Sequence, residues 1–513
     1  MTRPRLSRSL HLIVLSLILA GCASPTAAPS PTVPPTTPAP TRTAVPTSTF
    51  RPTRTKASTW TQPATITPTS TKTPLPRPQL SLRPGEFYFR WEDQPRFFFS
   101  RNLGSNQEAQ FSTFLDWAVA GGSQIVRLPL ETLGWGFTTR GGVKDDWAQE
   151  WERIITLAEA DNIYVIPVLG SWIQWNNGSG PSTWASNPMN RVNGGITKDP
   201  LDLYKSGSDT QILYLAWVES LVKRWAGHKN IAAWDVFSEI NLSQASEVNG
   251  ISFATNAAVK IRLSDPSKRP VTASLGDTGT WLDFYAKADI DFVQVHPYPT
   301  SGQLDRAIVA EVHQTLDTYK LPVFIGESGL SAAAPDSTNG ALTVAENSER
   351  GLDHAIWAAV VSGAMNGRSF RWEDSFGIYY PKLGLAWMEK FQTEELPAVE
   401  FVSGVDFTDF APVPSEPSKD VWGAAVGNKA LVLGWFRDAA SEPPDWPVRK
   451  LSGQSVRLTP DGTAADWRVD FYNTSNGTDL INSTNISRSE AGSLTIPLPD
   501  FTDDIAFKLT ALR

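Results

Sequence analysis

One cysteine, Cys22, in 513 residues excludes an internal disulfide framework and a cysteine-based metal site. Long apolar runs are also missing. The longest near the amino terminus, Leu10 to Ala20, is too short to span a bilayer comfortably. Acidic residues are absent from the first 79 positions. None of the 53 Asp and Glu and nine of the 45 Lys and Arg lie there, so the rest carries 36 basic against 53 acidic groups, a net −17 where the whole chain has −8. An acidic body with a basic tail argues against a nucleic-acid partner. It is compatible with neutral ligands such as glycans, although charge alone does not select them.

The tail has two parts. Arg3, Arg5 and Arg8 precede the apolar stretch, which ends Leu19-Ala20-Gly21-Cys22, the pattern of a signal peptide. Leu-Ala-Gly-Cys resembles the bacterial lipobox, which implies lipidation of Cys22 and a membrane partner reached through an N-terminal lipid anchor at the cell surface. Residues 23–79 are more than half Thr and Pro, a composition that cannot bury a core and favours extended geometry. This segment is expected to be a solvated spacer; the competing reading is that its positive charge hugs anionic lipid or cell wall.

The chain is too long for one compact domain, and two are expected beyond the tail. From about residue 85 to 395, eight short apolar runs alternate with longer amphipathic stretches. The runs are 96–100, 124–130, 163–169, 231–239, 270–275, 291–296, 321–327 and 367–372; the clearest helical stretches are Asp145–Ala160, Thr210–Ala226, Leu304–Tyr319 and Glu346–Ser362. This alternation predicts a (β/α)8 TIM barrel over residues 80–397. A doubly wound open sheet is the competing α/β architecture. It would usually carry a glycine-rich phosphate turn after its first strand, and Ser100-Arg-Asn-Leu-Gly is not one. Beyond 398 the helical period stops, and short strands separated by Gly, Pro, Asn and Asp turns predict a small β-sandwich over 398–513. That module either binds glycan or caps the barrel; no aromatic row that would favour binding is evident.

Two glutamates stand at the ends of buried runs. Glu239 closes Ile231 to Glu239, and Glu327 closes Leu321 to Glu327. A charge there is costly unless the strand has just left the core, which is where α/β barrels keep their active sites. Arg127, Trp172, His296, Tyr298 and Trp372 also fall at or near strand ends and are expected to converge on the same mouth. Tryptophan faces stack on the apolar sides of sugar rings while charged groups bond the hydroxyls. Trp135, Trp172, Trp175 and Trp184 in the second and third loops are candidates for this role.

These residues resemble glycoside hydrolase clan A, and most closely its family 5 (cellulase-like) barrels. Arg224 to Glu239 is similar to the strand-four motif, Val293-Gln-Val-His-Pro-Tyr298 to the strand-six motif and Pro322-Val-Phe-Ile-Gly-Glu327 to the strand-seven motif. The resemblance implies a retaining hydrolase that cleaves β-glycosidic bonds of a polysaccharide or oligosaccharide and acts as a monomer, without cofactor or metal. Glu239 would be its acid/base and Glu327 its nucleophile. Arg127 and Tyr298 would steady Glu327, and Trp372 would floor the subsite at the scissile bond. Hydrolysis and transglycosylation remain open alternatives.

The departure is Ser238, where the family carries an asparagine that bonds the sugar 2-hydroxyl. Either the serine acts through a water, or Asn241 reaches in, or the barrel has become a surface glycan-binding protein with impaired catalysis. Glu131 is open between loop anchor and substrate contact. Glu373 and Asp374 are expected to line a subsite or pair with Arg368 and Arg371.

Overall fold

The computed structural model describes residues 78–513 except 179–181, 330–347, 372–373, 375–390, 444, 478, 491 and 513. The signal peptide, Cys22, almost all of the Thr/Pro-rich segment, Trp372 and Glu373 lie outside the described residues. Barrel and sandwich belong to one compact unit, Pro74–Arg513.

Eight parallel strands form the barrel: β1 (Phe98–Asn102), β2 (Ile125–Pro129), β3 (Tyr164–Val168), β4 (Trp234–Asp235), β5 (Val271–Ser274), β6 (Phe292–Val295), β7 (Val323–Ile325) and β8 (Asn366–Arg368). Their order is β8-β1-β2-β3-β4-β5-β6-β7. A parallel bridge between Ser328 and Phe370, together with Met365 N donating to Val323 O at 2.8 Å, joins β7 to β8 and closes the ring. Every residue of β1, β2 and β3 is buried, as expected for strands covered on both faces.

Helices wrap this ring: α1 (Gln110–Ala120), α2 (Asp145–Ala160), α3 (Asp209–Trp225), α4 (Glu247–Ser264), a single turn α5 (Phe284–Lys287), α6 (Leu304–Tyr319), α7 (Ser348–Ser362) and α8 (Leu396–Val402). Their starts are local. Ser208 Oγ accepts from Gln211 N at 3.0 Å to open α3, and Ser246 Oγ does the same for Asn249 N at 3.3 Å to open α4. The apolar positions of α2 (Trp147, Trp151, Ile154, Ile155 and Ala158) recur at helical spacing and all face the core.

β7 and β8 are shorter than their runs, and two further departures from the sequence expectation have a visible cause. β1 starts two residues late, because Gln94–Pro95 pairs with Arg90–Trp91 in a hairpin that uses the preceding chain. The nine-residue run at β4 is continuous strand only over Trp234–Asp235, with isolated parallel bridges at Ile231 and Ser238. Asp235 Oδ1 accepts from Phe237 N at 3.2 Å, so a side chain takes a donor the ladder would otherwise use.

The C-terminal module stacks a six-stranded antiparallel sheet on a three-stranded one. Trp467, Val469, Phe471, Ile496, Phe507 and Leu509 fill the space between them. α8 runs through residues 397 and 398, and the first strand of the module begins at Ala411. The module docks on α6 and α7. Arg437 bonds Asp305 at 2.6 Å with both side chains fully buried, and Trp435 and Ala424 join the barrel's own apolar core. Arg306 reaches Glu442 at 2.6 Å and lies over the Trp422 ring. This buried seam is what capping of the barrel requires.

Candidate active site

The C-terminal ends of the strands bring together residues that are far apart in sequence. Arg127, buried in β2, is the hub. Its Nη1 donates to Glu327 Oε1 at 2.7 Å and to Asn102 Oδ1 at 3.1 Å. Its Nε donates to Asp235 Oδ2 at 3.1 Å, and its Nη2 to Ser238 Oγ at 3.0 Å. A planar guanidinium with five donors is the side chain that can serve three other strands at once. Gln294 on β6 completes the layer by donating from Nε2 to Asp235 Oδ2 at 2.9 Å.

Glu327 follows β7 and is nearly enclosed. Tyr298 donates its hydroxyl to Glu327 Oε2 at 3.0 Å, and Arg371 Nε lies 3.8 Å from the same oxygen. Burial by itself would raise the Glu327 carboxyl. Arg371 and Arg127 outweigh it and hold the pKa down at about 2, so the group is ionised at neutral pH. Tyr298 moves the other way: burial, and then the Glu327 charge, push its phenol well above the ordinary range, so it remains a donor.

Glu239 ends the β4 run in a left-handed conformation, φ 55° and ψ 48°. A non-glycine residue held there marks local strain, the kind that clusters at functional sites. Its N–H donates to Ser274 Oγ at the end of β5, 2.9 Å away, and the strand then breaks away. Its Oε1 lies 3.0 Å from Nδ1 of the buried His296. Glu239, His296 and Glu327 each present an atom within 4.8 Å of the others. Although a cation can span that distance, any cation there would face the Arg127 and Arg371 charges gathered on Glu327. The donor set therefore suits a carboxyl pair with its own internal cations rather than a metal cage.

The remaining sequence candidates separate. Trp172 is half-buried beside the site, its backbone N–H donating to Ser238 O at 3.1 Å. Trp135 is half-buried against Phe137. Trp175 and Trp184 are core residues, stacked on each other with ring centroids 5.7 Å apart, so they do not line the cleft as expected. The correction has a simple cause: the third loop folds back on the barrel, so that Trp175 packs against Phe137 and Tyr214 of α3 within the main apolar core, and Asn187 donates to Gln174 O at 3.0 Å to hold the loop. Asn241 does not reach the carboxylates either. Its amide donates to Asp277 O and Thr280 Oγ1 and accepts from Gly276 N, which ties the fourth loop to the fifth. Glu131 is buried after β2. Burial pushes its carboxyl up, against the pull of Arg371. Asp374 pairs with Arg368 at 2.6 Å, whereas Glu373 and Trp372 are outside the described residues.

Sequence reasoning missed Asn102, Asp235, Gln294 and the Arg371–Glu327 approach. One signal was present. Asp235 is a charge inside an apolar run, and such a residue needs a buried partner.

No family model matches the sequence, and no curated protein does. Solved structures do. One described as a glycoside hydrolase aligns at 12% identity with a TM-score of 0.58, covering 85% of this chain and 97% of its own. A family 5 glycoside hydrolase from Bacteroides vulgatus aligns at 14% identity with a TM-score of 0.56, covering 84% and 94%. The likeness fixes the chain's fold as a (β/α)8 barrel followed by a β-sandwich, shared over nearly the whole length of these two glycoside hydrolases.

Proposed function

We propose that the chain is a retaining glycoside hydrolase acting on β-glycosidic bonds of a polysaccharide or oligosaccharide. The observation that carries this reading is the pair Glu239 and Glu327, with carboxylate oxygens within 4.8 Å of each other at the barrel mouth. Inverting enzymes separate their carboxyls by about 6.5–9.5 Å to admit a water, whereas retaining enzymes hold them about 5–5.5 Å apart. The electrostatics support the division of labour. The Arg371 and Arg127 guanidiniums gather on Glu327, whereas Glu239 meets the His296 imidazole.

In the first step Glu327 attacks the anomeric carbon, the glycosidic bond breaks, and Glu239 gives its proton to the leaving oxygen. In the second step Glu239 takes a proton from water. That water's oxygen displaces Glu327 and releases the sugar with its original anomeric configuration. Arg127 and Tyr298 hold the attacking carboxylate in place, and the half-buried Trp172 is tied to Ser238 through the backbone. Ser238 keeps its place in the Arg127 network although it is shorter than the asparagine it replaces.

The test is turnover on a panel of β-glucans, mannans and aryl β-glycosides, with a 2-deoxy-2-fluoro glycoside to trap the intermediate. Mass analysis should place the trapped sugar on Glu327. Absence of turnover on every substrate, or turnover that survives Glu327→Ala, refutes the assignment. We also propose that Cys22 is lipidated and holds the enzyme on the outer face of the cell, as its place after Leu19-Ala20-Gly21 suggests. Detergent phase partitioning checks this: the native protein should enter the detergent phase and Cys22→Ala should not.

A further inference from the structure

The two carboxyl groups are connected through the interior of the barrel, and one link in that connection decides where a proton sits. Asp235 binds Arg127 on one side and accepts from Gln294 Nε2 on the other. This fixes which way the Gln294 amide points. Reversed, its oxygen would face the Asp235 carboxylate. The neighbouring Thr272 hydroxyl gives its proton to Phe292 O at 2.7 Å, so it too can only accept from the amide. Gln294 Oε1 must therefore point away, toward Gly326.

There it meets His296. Gln294 Oε1 and His296 Nε2 are both buried without a protein partner. Both border the space over Gly326, where a methyl group would overlap Gln294 Oε1 and come within 2.8 Å of His296 Nε2. Glycine is needed here for room: its N–H donates to Val295 O and its carbonyl accepts from Asn102, which pins the backbone. Two orphaned groups this close are linked by a small shift or by one bridging water. An amide oxygen can only accept, so the imidazole Nε2 must donate.

We propose that Gln294 holds His296 in its Nε2–H form, so that the hydrogen bond at Nδ1 is made with the proton of Glu239. In neutral imidazole one nitrogen donates and the other accepts. With Nε2 donating, Nδ1 accepts, and the 3.0 Å contact to Glu239 Oε1 requires Oε1–H as the donor. The other acidic groups whose charge reaches the ring are Glu327, whose Oε2 lies 4.0 Å from Nδ1, and Glu311 of α6. Gln294 thus becomes a positioning residue: it stores the acid proton on Glu239 without touching substrate. Once that proton has left for the glycosidic oxygen, the Nδ1 lone pair faces a carboxylate. This strengthens Glu239 as the base that takes a proton from water. The catalytic consequence rests on the hydrolase reading; the proton assignment does not.

The decisive experiment is 15N NMR of the histidine-labelled protein at pH 7. The chain has 5 His, and the His296 signals are those lost in His296→Asn. The expected result is a protonated Nε2 and an unprotonated Nδ1. A proton on Nδ1 alone, or on both nitrogens, overturns the proposal. In Gln294→Met the preference for Nε2–H should be lost, and an unchanged spectrum also overturns it. If that variant does not fold, the wild-type spectrum decides alone. With turnover established, Gln294→Met should lower kcat/KM for alkyl β-glycosides, whose first step needs the acid, by about tenfold or more, and leave kcat/KM for 2,4-dinitrophenyl β-glycosides nearly unaffected. Equal slowing of both classes points to a structural role and refutes the positioning role. A wild type without turnover refutes the hydrolase reading and leaves the NMR result standing.

Discussion

Replacing Glu327 by glutamine should destabilise the protein as well as abolish turnover, and the loss should depend on pH in a defined way. Glu327 titrates in the fold at about 2 against an ordinary value of 4.5, with Arg371 and Arg127 overcoming the cost of burial. A shift of that size corresponds to about 3 kcal/mol favouring the ionised form in the native state, at about 1.4 kcal/mol per unit. Because the folded value lies below the unfolded one, this stability is complete above pH 4.5 and disappears as the pH falls toward 2. Glutamine mimics the protonated acid. At pH 7 the variant should therefore be less stable by about 3 kcal/mol, within the range for breaking a buried ion pair. The gap between the two proteins should close on acidification. Chemical denaturation followed by tryptophan fluorescence, for which the chain's 20 Trp supply ample signal, measures both curves. A variant as stable as the wild type at pH 7, or a gap that persists at low pH, refutes the electrostatic account of the site.

Other substitutions test individual assignments. Trp175→Ala should cost about 3–5 kcal/mol in denaturant stability, because Trp175 is a buried core residue. A rise in KM without loss of stability would return Trp175 to the cleft. Asn241→Ala should change kcat by less than about fivefold, under 1 kcal/mol, since its amide is committed to Asp277, Thr280 and Gly276. A hundredfold fall would place Asn241 on the substrate. Arg437→Met should destabilise by about 3–5 kcal/mol in thermal or chemical unfolding by stranding Asp305 in the seam between barrel and sandwich. An unchanged unfolding midpoint would mean that the seam adds nothing to stability.

The barrel was legible because parallel strands buried on both faces leave near-continuous apolar runs, and amphipathic helices leave a different period between them. α2 and α6 match their expected limits residue for residue. The limits of β1 and β4 were not legible, since a hairpin and an aspartate side chain set them. Glu239 and Glu327 were visible because a charge ending an apolar strand is expensive anywhere but at the mouth. Trp175 and Trp184 were misplaced for the opposite reason: a loop tryptophan reads the same whether it faces sugar or packs into the main core.

Alone, the sequence determined the order of elements, the end of each strand that bears chemistry, and the identity of the two carboxylates. These are local properties, written in hydropathy period and in the cost of a charge beside a buried run. Only the tertiary structure decided what each group touches. It set Asp235, Gln294 and Asn102 around Arg127, aimed Gln294 Oε1 at Gly326 and His296, and turned Asn241 away toward the fifth loop. Those contacts join residues from five different strands, and no local pattern encodes such a convergence. The carboxylates mark the site in the sequence, and ring closure of the barrel supplies the neighbours that set their charge.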